Sequence, residues 1–146
     1  MIQYDCPYIH TTVENDVSFY TRQWEFDNER EELETRIVVD GDDRGAVNNG
    51  LGTLRDHPNM RGYDIIRRNG DVALIRSRID QTDAMSVIRD HGGDIPVPFE
   101  ITDGSEIWNI RFYRESAVEG TLGALEHNND LTVESRESMA LDDYYE

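Results

Sequence analysis

The chain has 146 residues, 37% of them hydrophobic, and a formal net charge of −17 from 31 acidic and 14 basic residues. That length suits one domain with a real core. The charge argues against nucleic-acid binding by this chain alone, because phosphate binding needs concentrated positive charge and the longest basic run is Arg67-Arg68; it argues equally against an anionic membrane surface.

All the basic residues are arginine, with no lysine to form a Schiff base. The apolar residues fall in periodic blocks, so the acidic surplus reads as the surface of a folded domain rather than as disorder. Such a surface stays hydrated at very high salt, where self-repulsion is screened, and a salt-loving host follows. An acidic tail or binding face is the alternative, but the acids are spread along the whole chain. No apolar run is long enough to span a membrane, and MIQYDCPYIH lacks the basic and apolar parts of a signal peptide. A cytoplasmic protein is expected. The single cysteine, Cys6, excludes an intrachain disulfide and fits a reducing compartment.

In chain order, residues 1–16 are mixed, and Cys6-Pro7 is expected to break any regular element. Val17 to Phe26 alternates loosely, is aromatic, and predicts a strand. Asp27 to Glu32 is a charged turn, and Leu33 to Val39 a second strand. A helix is expected over Arg44 to His57, where Val47, Leu51 and Leu54 share a face. Its glycines, Gly45, Gly50 and Gly52, each cost about 1 kcal/mol relative to alanine, so packing must hold it or the glycines admit a close neighbour. Tyr63–Arg68 and Asp71–Ile79 flank Asn69-Gly70, the signature of a hairpin with a type I′ turn.

Thr82 is placed as the N-cap of the next helix, which runs to about His91 and stops at Gly92-Gly93. Ile95, Val97, Phe99 and Ile101 alternate with Pro96 and Pro98, which suits an edge or irregular strand. Asp103-Gly104 turns the chain into a return strand over Ile107–Tyr113. Ser116 and Glu119 form a capping-box pattern opening the last helix. Leu131 and Val133 carry a final strand, and residues 137–146 read as an acidic tail or linker after a single domain over 1–136.

Three helix ends carry His57, His91 and His127, spaced 34 and 36 residues apart. A period of that size marks a repeated supersecondary unit. The expected fold is α+β: a ferredoxin-like, ACT-like βαββαβ plan extended by a third βαβ unit. It predicts a mostly antiparallel sheet of six to eight strands with three helices on one face. That architecture serves many functions, so chemistry must come from residues.

Little catalytic chemistry is legible. Gly50-Leu51-Gly52 lacks the rest of a phosphate loop, carboxylates occur everywhere, and neither an enzyme nor a cofactor is expected. The three histidines read better as helix C-terminal caps meeting the dipole than as zinc ligands. Cys6 and His10 form a C-x-x-x-H pair, half of a metal site or a redox thiol, against the simpler reading of a small buried apolar group. Arg36, Arg67, Arg76, Arg78 and Arg111 recur within predicted strands. On one face they would grip a small anionic ligand with bidentate geometry; otherwise they pair across strands with the abundant acids.

CPYI near the start, QWEFDNE, the hairpin-linked βαβ units, NIRFYRES opening a helix and a closing DLTVESRE together resemble the N-terminal domain of haloarchaeal bacterio-opsin activator-like transcription regulators. The resemblance covers about residues 5 to 137. It implies a signal-receiving domain, ligand-sensing or dimerising, attached to a C-terminal helix-turn-helix that binds DNA. Nothing within this chain reads as a helix-turn-helix, so no DNA contact is assigned to it. The partners implied are a small anionic ligand and a second copy or the fused DNA-binding module. A stand-alone interaction or assembly domain is the alternative, followed by a small ferredoxin-like enzyme.

Overall fold

The computed structural model describes residues 1–137; the expected tail from residue 138 on lies outside the described residues. In chain order the elements are β1 (Ile2–Gln3), α1 (Pro7–Glu14), β2 (Val17–Asp27), β3 (Glu32–Gly41), α2 (Arg44–Asp56) and β4 (Met60–Asn69). Then follow β5 (Val72–Asp80), α3 (Asp83–Asp90), β6 (Phe99–Thr102), β7 (Ser105–Glu106), α4 (Ser116–Leu125) and β8 (Asn129–Asp130). Six strands form one sheet in the order β4-β5-β3-β2-β6-β7, with antiparallel neighbours throughout. β1 and β8 pair in a small sheet of their own. The chain is an α+β domain with a mostly antiparallel sheet.

One face of the large sheet is dry. Alternate residues of β2, β3, β5 and β6 are buried, among them Phe19, Ile37 and Ile75 at 0% exposure. Ile9 of α1, Leu54 of α2 and Ile88 of α3 complete the same core. Each such side chain contributes roughly 1.5–3 kcal/mol by leaving water. α4 packs against α3. Thr82 caps α3 as expected, its Oγ1 accepting the Met85 N–H. Gly92, at φ +75°, and Gly93 return their N–H groups to the Arg89 and Ile88 carbonyls, a Schellman stop. α2 rests on β2 at Gly50, where a Cβ would come 3.0 Å from Val17 Cγ1.

The structure corrects several expectations. Cys6-Pro7 opens a helix rather than breaking one: Cys6 is the N-cap of α1 and Pro7 its first residue. Proline suits that position, since its missing N–H would be unsatisfied there anyway. The described residues therefore hold four helices, not three. Asn69 stays in β4 and pairs with Val72, so the loop is Gly70-Asp71 and only Gly70 takes positive φ. The expected I′ signature appears at Asp103-Gly104, at φ +50° and +80°.

The third βαβ unit does not form as expected. The predicted strand over Ile95–Ile101 shrinks to Phe99–Thr102, because Pro96 and Pro98 offer no N–H to a ladder. Ile107–Tyr113, deprived of that partner, forms no named strand and pairs its backbone at the isolated Asp94–Arg111 bridge. Leu131 and Val133 lie beyond the final strand, which is Asn129–Asp130. Glu115, in helical conformation, takes the N-cap of α4 without a side-chain bond. Glu119 pairs with Arg136 instead of closing a capping box.

Candidate ligand-binding site

The other face of the sheet carries no helix, and toward the β2–β3 turn its outward side chains are charged. The register sets Arg76 of β5 between Arg36 and Asp64, and Arg78 between Glu34 and Gly62. Together with the β2–β3 turn these residues outline a groove of about 330 Å³, lined by Asp27, Arg30, Glu32, Glu34, Asp64, Arg76 and Arg78. The turn is fixed by Asp27, whose Oδ1 accepts the N–H groups of Glu29 and Arg30 at 3.0 and 3.2 Å.

Within the groove the two β5 arginines differ. Arg76 is engaged, 3.3 Å from Asp64 Oδ2 and 3.6 Å from Glu34 Oε1. Arg78 makes no ion pair among the described residues. Its neighbour on the edge strand is Gly62, at φ +150°, where a Cβ would sit 3.6 Å from Arg78 Nη2. The missing side chain leaves the guanidinium uncovered. A planar fork with free donors is suited to a carboxylate or phosphate.

Of the five arginines singled out by sequence, Arg76 and Arg78 come together in this groove, and Arg36 stands opposite Arg76 but outside the lining. Arg67 is exposed beside Leu74 on the same sheet face but outside the groove lining. Arg111 lies elsewhere, bound to Asp94 by a 3.0 Å ion pair and two backbone hydrogen bonds of 2.9 Å. Arg30 was missed, because it stands in a turn whose position over the sheet the local pattern does not encode.

Cys6 and His10 stand one turn apart at the start of α1, in different surroundings. Cys6 is buried, and desolvation followed by the nearby Glu106 carboxyl pushes its thiol well up, so it stays protonated. His10 is exposed, its ring edge-on to His57 with centroids 5.2 Å apart. Among the described residues no group of three or more histidine, cysteine, aspartate or glutamate side chains could hold a metal ion. Of the three helix-end histidines, His91 hydrogen-bonds the Val87 carbonyl at 2.7 Å, as a C-terminal cap does. His57 departs from that role. Burial, then His10, lowers its pKa, and its Nδ1 accepts the Asn59 N–H at 3.0 Å. It closes the turn as a neutral acceptor. His127 lies past the C-cap, Glu126, and is exposed.

The interior holds polar groups that sequence reasoning passed over. Tyr8, Thr35 and Ser77 join their hydroxyls in a buried ring. Glu106 is 3% exposed and accepts from the Gln3 amide. Desolvation pushes its carboxyl up to about 8, against the opposing pull of the Met1 ammonium and the Trp108 indole. That indole N–H lies close by without the geometry of a hydrogen bond. A signal for Glu106 existed: Asp103-Gly104 closes a two-residue loop, so the inward Ile101 pairs with Glu106 and turns it inward too.

The chain is thus a one-sided α+β domain with a dry, helix-covered face and an open, charged one. It belongs to the family described as HVO_2525_N, N-terminal, a haloarchaeal family whose model matches residues 1–131. No curated protein and no solved structure matches it. No helix among the described residues is long and apolar enough to cross a membrane.

Proposed function

We propose that this domain receives a signal for a haloarchaeal transcription regulator of the bacterio-opsin activator-like kind. It binds a small anionic ligand in the cytoplasm and passes its state to an attached helix-turn-helix. The observation that carries the reading is the uncovered Arg78 guanidinium beside Gly62, in a groove walled by Arg30, Arg76 and four carboxylates. The family description, an N-terminal domain, supports a further module in the same protein. We read β3-α2-β4-β5, in which β4 runs parallel to β3, as part of a ferredoxin-like, ACT-like plan; β6 departs from that plan, because β2 stands between it and β3 and leaves it antiparallel to β5. These residues are assigned binding rather than catalysis, and no contact with nucleic acid. Glu106 has the raised carboxyl an enzyme would use, but it lies in a closed interior rather than a substrate cleft.

The test is a thermal-shift screen of carboxylate- and phosphate-bearing metabolites at molar potassium chloride. A ligand should raise the melting temperature in proportion to log concentration once above its Kd. Arg78→Ala should abolish the gain without changing the unliganded melt. A screen in which no anion stabilises the domain contradicts the reading. A second reading, self-assembly through the edge of β4, is favoured by exposed Ile65 and Ile66, at 47% and 52%. Sedimentation at high salt decides it: a monomer at every concentration rules it out.

A further inference from the structure

Glu106 and Gln3 are each 3% exposed, and both line a cavity of about 20 Å³. The Gln3 amide donates to one carboxyl oxygen of Glu106, but Gln3 Oε1 is buried without a donor. An ionised carboxylate only accepts hydrogen bonds, whereas a protonated one also offers an O–H. A neutral Glu106 therefore faces the amide as acid to amide, each giving one donor and one acceptor, and the orphaned oxygen is satisfied. An ionised Glu106 would turn a negative oxygen toward it, in a place with little water to screen the charge.

The pair joins two parts of the fold. Gln3 lies on β1, opposite Asn129 of β8, and Glu106 lies on β7 at the edge of the large sheet. Backbone bonds support the same junction: the Glu106 N–H donates to the Met1 carbonyl at 2.9 Å, and the Met1 ammonium to the Glu106 carbonyl at 2.6 Å. We propose that Gln3 and Glu106 form a proton-operated latch that fastens the β1/β8 sheet to β7. The latch shares no lining residue with the anion groove.

Few titratable groups face the latch. The Met1 ammonium does so from the N-terminus, and the Cys6 thiol and Tyr8 phenol from α1, both held protonated by burial. Asp5 lies near Cys6. β2, β3, β5, β6 and α3 present only uncharged side chains to the cavity. The ordinary carboxyl value is 4.5 and the folded one is about 8, so the folded state holds a proton that the unfolded chain has lost. The latch is therefore fully closed at acidic pH and is lost as pH rises through 8.

A carbon-13 NMR titration of the wild-type protein at molar salt reads the carboxyl directly. Glu106 should titrate near pH 8, and the Gln3 and Asn129 amides should shift with the same midpoint. The melting temperature should fall between pH 5 and 8.5 by about 5–10 °C more than that of Glu106→Gln, whose amide keeps the paired geometry without a proton to lose. A Glu106 carboxyl titrating near 4.5, or β1 and β8 amides indifferent to its titration, overturns the proposal. The wild-type titration decides the matter even if the variant fails to fold.

Discussion

Arg76 and Arg78 share one strand and one face, yet only one is free to act. Arg76 is held by Asp64 and Glu34, exposed pairs worth about 0–1 kcal/mol each. Arg78 has Gly62 where a side chain would otherwise cover it. Gly62→Ala should therefore weaken anion binding by restricting Arg78, beyond whatever strain φ +150° adds; isothermal titration of the folded variant checks it. Cys6 gives a second outcome at this scale. Thiolate attack needs an exposed, ionised sulfur. The native thiol should react with an aromatic disulfide reagent at pH 8 about 100-fold more slowly than in denaturant, because reaction awaits opening. A full native rate would return Cys6 to the redox reading. The sequence showed that Cys6 was single; it did not show the helix that buries it.

Among the elements, α2 shows what its glycines do. Gly50 lies against Val17, whereas a Cβ on Gly52 would meet nothing within 4 Å. Gly52→Ala should stabilise the domain by about 0.5–1 kcal/mol through the unfolded chain's lost freedom. Gly50→Ala should destabilise it by about 1–3 kcal/mol by overpacking against β2. Urea denaturation at fixed salt separates the two. Legibility followed the same division. Period-two alternation placed β2, β3 and β5 because their partners are strands on both sides. It misplaced Ile107–Tyr113, whose alternation is equally good, because two prolines in the neighbouring segment remove the donors a partner strand needs. Whether an alternating stretch pairs depends on the residues opposite it. The groove was half legible for this reason: Arg76 and Arg78 announced themselves within one strand, whereas Gly62 and Arg30 matter only through register and turn geometry.

For the whole molecule, the charge of −17 sets the conditions of stability. Self-repulsion opposes the compact state and weakens as salt shortens the screening length from about 10 Å at 0.1 M to about 3 Å at 1 M. The melting temperature should rise steeply between those concentrations; a melt insensitive to potassium chloride would contradict the halophilic reading. The one-sided architecture leaves the charged sheet face available, and the account rests on that face binding an anion. The direct measurement is a nitrogen-15 NMR titration with inorganic phosphate and citrate at molar potassium chloride. The account predicts saturable shifts confined to residues 27–34, 62–64 and 76–78, absent in Arg78→Ala. Shifts scattered over the surface, or the same shifts in Arg78→Ala, would contradict it.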